Sequence, residues 1–200
     1  MSDTLDFYFD FSSPYSYFAG HKIDDIAHDN GRTVNWKPIL LGPIFQKSGV
    51  DSPINVPMKG EYSRNDCDRM ARFMDIPWQM PDPFPIFSVT AARAFYWVHD
   101  QDPDQARTLA KSLFHGFFGE GKDITDADVV ADIASALHVN RDDLLSGIAD
   151  PAIKQRLKDE TAQAMEIGVF GAPYFIVDGE PFWGSDRLWM VKKWLQRGGW

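Results

Sequence analysis

A short alternating segment near the start of the chain runs directly into a helix signal, and this pair constrains the fold more than any other feature. Residues 5 to 11 alternate in a pattern that predicts a strand with one face in the core. The residues of that face are Leu5, Phe7, Phe9 and Phe11. Ser13-Pro14 follows, a hydroxyl cap with proline at the first helical position, and helical spacing continues to about Asn30. A second strand over 33–41 completes a β-α-β unit, which predicts a right-handed parallel crossover.

The rest of the chain separates into a helical middle and a second β-containing end. From about residue 61 to 167 the sequence predicts one helix after another. Strand signals return over 174–177 and 181–183 around an Asp-Gly turn, which predicts a hairpin, and a last helix is expected to begin at Ser185.

This order of elements predicts an α/β fold, a thioredoxin-like domain with a large all-helical insertion. The two ends of the chain, 1–45 and 156–200, are expected to form the thioredoxin-like domain around one sheet. Residues 46–155 are expected to form the helical insertion domain.

Composition excludes several function classes. The chain has 200 residues, 20 Lys+Arg against 29 Asp+Glu, and a net charge of -9, which argues against a nucleic-acid or anionic-membrane surface. Cys67 is the one cysteine, so the chain has no internal disulfide and no CxxC centre. The five histidines form no metal-binding motif, and no metal is expected. No run of about 18 apolar residues suggests a membrane span, and the cytoplasm is the expected location.

The segment Ser13-Pro14-Tyr15-Ser16 is the first candidate site. It lies where a strand meets a helix, and the first N–H groups of a helix are unpaired and favour negative charge. Ser13 as a plain helix cap is one interpretation. The other follows from the spacing of Cys-Pro-x-Cys in thioredoxin-like proteins, with both sulfurs replaced by hydroxyls. Such a site cannot exchange disulfides, but it can polarise a thiolate that a ligand supplies.

Three further segments are candidates. Ala172-Pro173 precedes the hairpin, and a cis bond there would expose the Ala172 backbone to a peptide-like ligand. Ser185 and Asp186 open the last helix, either as a helix start alone or as a polar binding edge. Lys59 is either a solvated lysine or the local cation that an anionic ligand needs in so acidic a protein.

The sequence resembles the bacterial 2-hydroxychromene-2-carboxylate isomerases, which belong with the kappa-class glutathione transferases in the disulfide-oxidoreductase-like branch of the thioredoxin superfamily. Nearly the whole chain takes part in the resemblance. The motifs that carry it are Phe9-Asp10-Phe11-Ser12-Ser13-Pro14-Tyr15-Ser16-Tyr17, Phe170-Gly171-Ala172-Pro173 and Trp183-Gly184-Ser185-Asp186-Arg187.

The resemblance implies bound glutathione. Its thiolate would lie near the Ser13 hydroxyl, its backbone would pair with Ala172 beside Pro173, and its γ-glutamyl end would meet Ser185 and Asp186. Lys59 matches a lysine that the family places at the active site. A homodimer is also implied.

The implied activity is interconversion of a hydroxychromene carboxylate and trans-o-hydroxybenzylidenepyruvate during aromatic hydrocarbon degradation, with Ser13 as the catalytic residue. The small-molecule substrate would be an aromatic carboxylate. Two alternatives stay open, a kappa-class-like transferase that conjugates glutathione to small electrophiles, and a non-catalytic glutathione- or peptide-binding protein. The acceptor pocket that would separate the first two cannot be identified from the sequence.

Overall fold

The computed structural model describes residues 3–200 and contains one mixed sheet within that range. Its strands are Thr4–Phe9 (β1), Thr33–Pro38 (β2), Tyr174–Val177 (β3) and Glu180–Trp183 (β4). The order across the sheet is β2-β1-β3-β4, and β1 pairs in parallel with β2 and antiparallel with β3. The predicted parallel crossover, the hairpin and the single sheet built from both ends of the chain are therefore confirmed.

Helices cover the sheet and fill the middle of the chain. They are Pro14–Gly20 (α1), Ile23–His28 (α2), Leu41–Ser48 (α3), Lys59–Met74 (α4), Val89–His99 (α5), Pro103–Phe114 (α6), Ala127–Ser135 (α7), Arg141–Ala149 (α8), Pro151–Glu166 (α9) and Leu188–Arg197 (α10). The architecture is the expected α/β, thioredoxin-like fold with a large helical insertion. The division into 1–45 with 156–200 and 46–155 stays a prediction, and its second boundary falls inside α9. None of the helices described is long and apolar enough to cross a membrane.

The predicted single helix from Ser13 to about Asn30 is wrong, because two short helices occupy that segment. Gly20 ends α1 against the indole of Trp36, where an added Cβ would lie 3.1 Å from Cη2. Glycine fits this close approach but lowers helix propensity. The carboxylate of Asp24 in α2 then accepts the Trp36 indole N–H at 2.9 Å. Trp36 on β2 thus packs against the end of α1 and donates a hydrogen bond to α2.

The strands and the last helix also differ at their ends. The strand expected over 33–41 ends at Pro38, although the Ile39 N–H still donates to the Phe9 carbonyl at 2.8 Å. The strand expected over 5–11 ends at Phe9. The last helix begins at Leu188, after a 3₁₀ turn over Ser185–Arg187.

Aromatic packing joins the insertion to the strand that carries the first candidate site. Phe9 on β1 has no exposed surface, and its ring centroid lies 5.9 Å from that of Phe95 on α5 and 5.5 Å from that of Phe114 on α6. Full burial of a phenylalanine side chain contributes about 1.5–3 kcal/mol. The end of β1 is therefore held between the sheet and the helical insertion.

Candidate active site

The turn that leads from β1 into α1 is built around the carboxylate of Asp10, which is 4% exposed. One oxygen accepts the Ser12 N–H at 2.8 Å and the Ser88 hydroxyl at 2.6 Å, and the other accepts the Leu41 N–H at 2.7 Å. Ser88 immediately precedes α5, and Leu41 is the first residue of α3. Asp10 therefore ties the turn to two further helices, and its own carbonyl accepts the Ser13 N–H at 2.9 Å.

Burial raises the pKa of the Asp10 carboxyl above its ordinary value, and the hydrogen bonds from Ser88, Leu41 and Ser12 oppose this rise. The sequence analysis assigned no role to Asp10. An Asp at the end of a strand often closes a turn, because its carboxylate accepts the backbone N–H of the residue two positions later. That signal would have found the bond to Ser12. It would not have found the distant donors.

Ser13 occupies the position that the sequence predicted for it, directly before α1. Its hydroxyl oxygen accepts the Ser16 N–H at 3.2 Å, so the plain cap interpretation describes part of what it does. The same hydroxyl donates to the carbonyl oxygen of Ala172 at 3.1 Å. Ser13 is 5% exposed. The structure therefore brings Ser13 and Ala172 into direct contact across 159 positions of sequence.

The Ala172–Pro173 peptide bond is cis, as the sequence context suggested. The Ala172 N–H has no hydrogen-bond partner among residues 3–200. On the other side, the Pro173 carbonyl accepts the Gly184 N–H at 2.9 Å. This last bond links the Ala172-Pro173 segment to the start of the Ser185–Arg187 turn.

Ser185 and Asp186 lie in that turn, which contacts α1. Gly184, with φ of 102°, allows the chain to enter the turn, and the Asp186 carboxylate folds back over it. Asp186 forms an ion pair with Arg187, and 70% of its side chain is exposed. The expected start of the last helix at Ser185 is wrong, because Ser185 belongs to the 3₁₀ turn and α10 begins at Leu188. The turn that carries both residues is joined to Pro173 through the Gly184 N–H.

Lys59 is not joined to these residues by a hydrogen bond or an ion pair within the described part of the chain. It is the exposed first residue of α4. The connection is indirect, since the Tyr15 hydroxyl in α1 donates to the Asp66 carboxylate in α4 at 2.8 Å. No local sequence pattern indicated the bond between Tyr15 and Asp66. Their bond holds the helix of Lys59 against the helix that follows Ser13.

Cys67 lies beside Tyr15 and is 1% exposed. Burial, together with the negative charge of Asp66, raises the pKa of its thiol to about 12. A thiol needs to be deprotonated to act as a nucleophile. Cys67 is therefore a structural side chain.

Comparisons with known proteins identify the family of the chain. The family model of the DSBA-like thioredoxin domain matches residues 4–196. A 2-hydroxychromene-2-carboxylate isomerase of Sphingobium xenophagum is 31% identical over 98% of this chain and 99% of its own length. Glutathione s-transferase kappa 2 of Caenorhabditis elegans is 32% identical over 94% of this chain and 90% of its own. A solved 2-hydroxychromene-2-carboxylate isomerase structure is 28% identical, with a TM-score of 0.88 over 97% of this chain and 95% of that one.

The chain therefore belongs to the DSBA-like thioredoxin family, in the group of 2-hydroxychromene-2-carboxylate isomerases and kappa-class glutathione transferases. In this chain the Ser13–Ala172 contact marks the candidate active site. Its relatives named as isomerases support an isomerase activity for the chain.

Proposed function

We propose that the protein is a glutathione-dependent isomerase that interconverts 2-hydroxychromene-2-carboxylate and trans-o-hydroxybenzylidenepyruvate type compounds in aromatic hydrocarbon degradation. The observation that carries the proposal is the hydrogen bond from the Ser13 hydroxyl to the Ala172 carbonyl at 3.1 Å. A serine proton turns freely about the Cβ–Oγ bond, so this donor is available to another acceptor. It lies next to a stretch of backbone whose Ala172 N–H has no partner among the described residues.

These residues fit glutathione. A peptide-like ligand would use the Ala172 N–H and carbonyl, and it would replace the Ser13 hydroxyl as the partner of that carbonyl. Ser185 and Asp186 in the adjoining turn supply acceptors for the γ-glutamyl ammonium. Lys59 would supply positive charge for a carboxylate from the N-terminus of α4.

When bound, glutathione supplies the thiolate that adds to the conjugated double bond of the substrate and leaves after rotation about the resulting single bond. Ser13 would donate its hydrogen bond to that sulfur. A hydrogen bond to a charged group stabilises it by about 1.5–3 kcal/mol, and one pKa unit corresponds to about 1.4 kcal/mol. Ser13 would therefore lower the thiol pKa by about 1–2 units.

A kappa-class-like transferase that conjugates glutathione to small electrophiles is the second candidate. The 32% identity to a kappa-class relative favours it. The two candidates share the Ser13 site and differ in the pocket for the second substrate. The proposal further includes a homodimer located in the cytoplasm.

The test is an assay with 2-hydroxychromene-2-carboxylate, with and without glutathione, beside a conjugation assay with chlorodinitrobenzene. Isomerisation that needs glutathione, together with weak conjugation, is the expected result. Conjugation without isomerisation supports the transferase. Isomerisation at the same rate without glutathione contradicts the proposal. Binding of glutathione with neither reaction supports the non-catalytic alternative.

A further inference from the structure

Ser16, the second hydroxyl of the Ser13-Pro14-Tyr15-Ser16 segment, has no function in the scheme above. Its side chain is completely buried. Its hydroxyl oxygen has no hydrogen-bond partner among the residues that the structure describes. An unpaired buried hydroxyl costs folding free energy, and alanine at this position would avoid that cost. The presence of serine at this position therefore indicates that its hydroxyl acts in the ligand-bound state of the protein.

The helix geometry points from Ser16 to Ser13. Ser13 is the cap and Ser16 the third helical residue, the position whose side chain reaches back toward the cap in a capping box. The Ser16 N–H already donates to the Ser13 hydroxyl oxygen at 3.2 Å. That oxygen has two lone pairs, and the Ser16 N–H uses one of them. The second can accept the Ser16 hydroxyl after a change of its side-chain rotamer.

We propose that Ser16 is a positioning residue for the Ser13 hydroxyl. When the Ser13 proton turns from the Ala172 carbonyl to the ligand sulfur, the Ser16 hydroxyl donates to the Ser13 oxygen and strengthens the bond that Ser13 makes. Ser16 acts only through Ser13, since a completely buried side chain does not touch a ligand. The inference rests on the proposed use of glutathione by this site.

Two donors on one oxygen polarise its own O–H group, and hydrogen bonds in such a chain strengthen one another. Loss of the Ser16 hydroxyl should therefore weaken the Ser13 donor without removing it. The resting protein should not lose stability, because the hydroxyl makes no bond there. Opposite effects on stability and turnover distinguish this role from a purely structural one.

The experiment compares the wild-type protein, Ser16→Ala, Ser13→Ala and the double variant. Urea unfolding without ligand, calorimetric binding of reduced glutathione, the ultraviolet absorbance of bound thiolate against pH, and turnover are measured for each. For Ser16→Ala we expect an unchanged or higher urea midpoint, turnover lower by about 3- to 10-fold, and a thiolate titration shifted to higher pH. The double variant should be no slower than Ser13→Ala. Ser88→Ala, which removes a hydroxyl that does make a buried bond, is the stability control and should unfold earlier.

A Ser16→Ala protein with wild-type turnover and thiolate titration would overturn the inference while the proposed function stands. An earlier urea midpoint or a failure to fold would also overturn it, because the hydroxyl would then have a partner in the resting protein. Losses that multiply in the double variant would show that Ser16 does not act through Ser13. Absence of glutathione binding by the wild-type protein would instead contradict the proposed function and, with it, this inference.

Discussion

Within residues 3–200, three helices begin in the same way, with a capping side chain followed by proline. In α6 and α9 the caps are Asp102 and Asp150, both exposed, and each carboxylate accepts only N–H groups of its own helix. In α1 the cap is Ser13, which is buried and bonds both to its own helix and to Ala172. The local sequence signal is alike in all three places. The difference is that the fold places a distant carbonyl, that of Ala172, against the Ser13 cap.

A carboxylate cap has no proton to donate, whereas a serine cap keeps one after it has accepted the helix N–H. At α1 that proton points to the Ala172 carbonyl, next to a backbone N–H without a partner among residues 3–200. The comparison teaches that accepting the helix N–H and donating a hydrogen bond elsewhere are separate properties of one side chain. Each of the following substitutions tests one part of that separation.

The largest effect is expected from Ser13→Ala. It removes a donor directed at a developing negative charge, and by analogy with oxyanion-hole donors turnover should fall by about 10²–10³. Asp102→Ala is the matched control, since loss of an ordinary cap lowers the free energy of unfolding by about 0.5–2 kcal/mol. Turnover at saturating glutathione and urea midpoints are measured for both. Equal turnover per folded molecule in the two variants would reduce Ser13 to a cap.

A smaller effect is expected from Tyr15→Phe, which removes the hydrogen bond between α1 and α4. Its matched control is Tyr17→Phe, since the Tyr17 hydroxyl donates to the Pro77 carbonyl at 2.7 Å. Each change should lower the free energy of unfolding by about 0.5–1.5 kcal/mol. Only Tyr15→Phe should raise the Michaelis constant for glutathione. Of the two tyrosine hydroxyls, only that of Tyr15 bonds to α4, the helix that begins at Lys59. The same Michaelis constant in both variants argues against that link.

The smallest effect is expected from Asp186→Ala. The Asp186 side chain is 70% exposed, so solvent would screen its proposed ion pair with the γ-glutamyl ammonium of glutathione. Its loss should therefore weaken glutathione binding by about 0.2–1 kcal/mol. Added salt should reduce the difference between variant and wild type. Calorimetry at two salt concentrations measures it, with Glu180→Ala, an exposed carboxylate on β4, as the control. An equal loss of glutathione binding free energy in Asp186→Ala and Glu180→Ala would show that Asp186 does not contact the ligand.

The sequence predicted the parts of this site that depend on local signals. Ser13 before α1 and the hairpin after Pro173 follow from capping and turn chemistry. The bonds that Asp10 accepts from Leu41 and Ser88 could not be predicted, because these donors lie 31 and 78 positions away in the sequence. The break after Gly20 depends on Trp36, which packs there only in the folded chain. Long-range packing therefore decided what local patterns left undetermined.

Lys59 is a second example of what local sequence patterns cannot predict. The resemblance placed it at the active site, and the structure places it at the start of α4, with an exposed side chain. Its reach toward a ligand depends on side-chain rotation, which no local pattern specifies. Its role in binding stays a prediction.

The central claim is that the Ser13 hydroxyl stabilises a bound thiolate, and the most direct test is a pH titration of glutathione bound to wild-type and Ser13→Ala protein, followed by thiolate absorbance. A free cysteine thiol has a pKa of about 8.5. The account predicts a bound value about 1–2 units lower in the wild-type protein and a return toward the free value in Ser13→Ala. The same thiol pKa in both proteins, with glutathione bound to each, would contradict it.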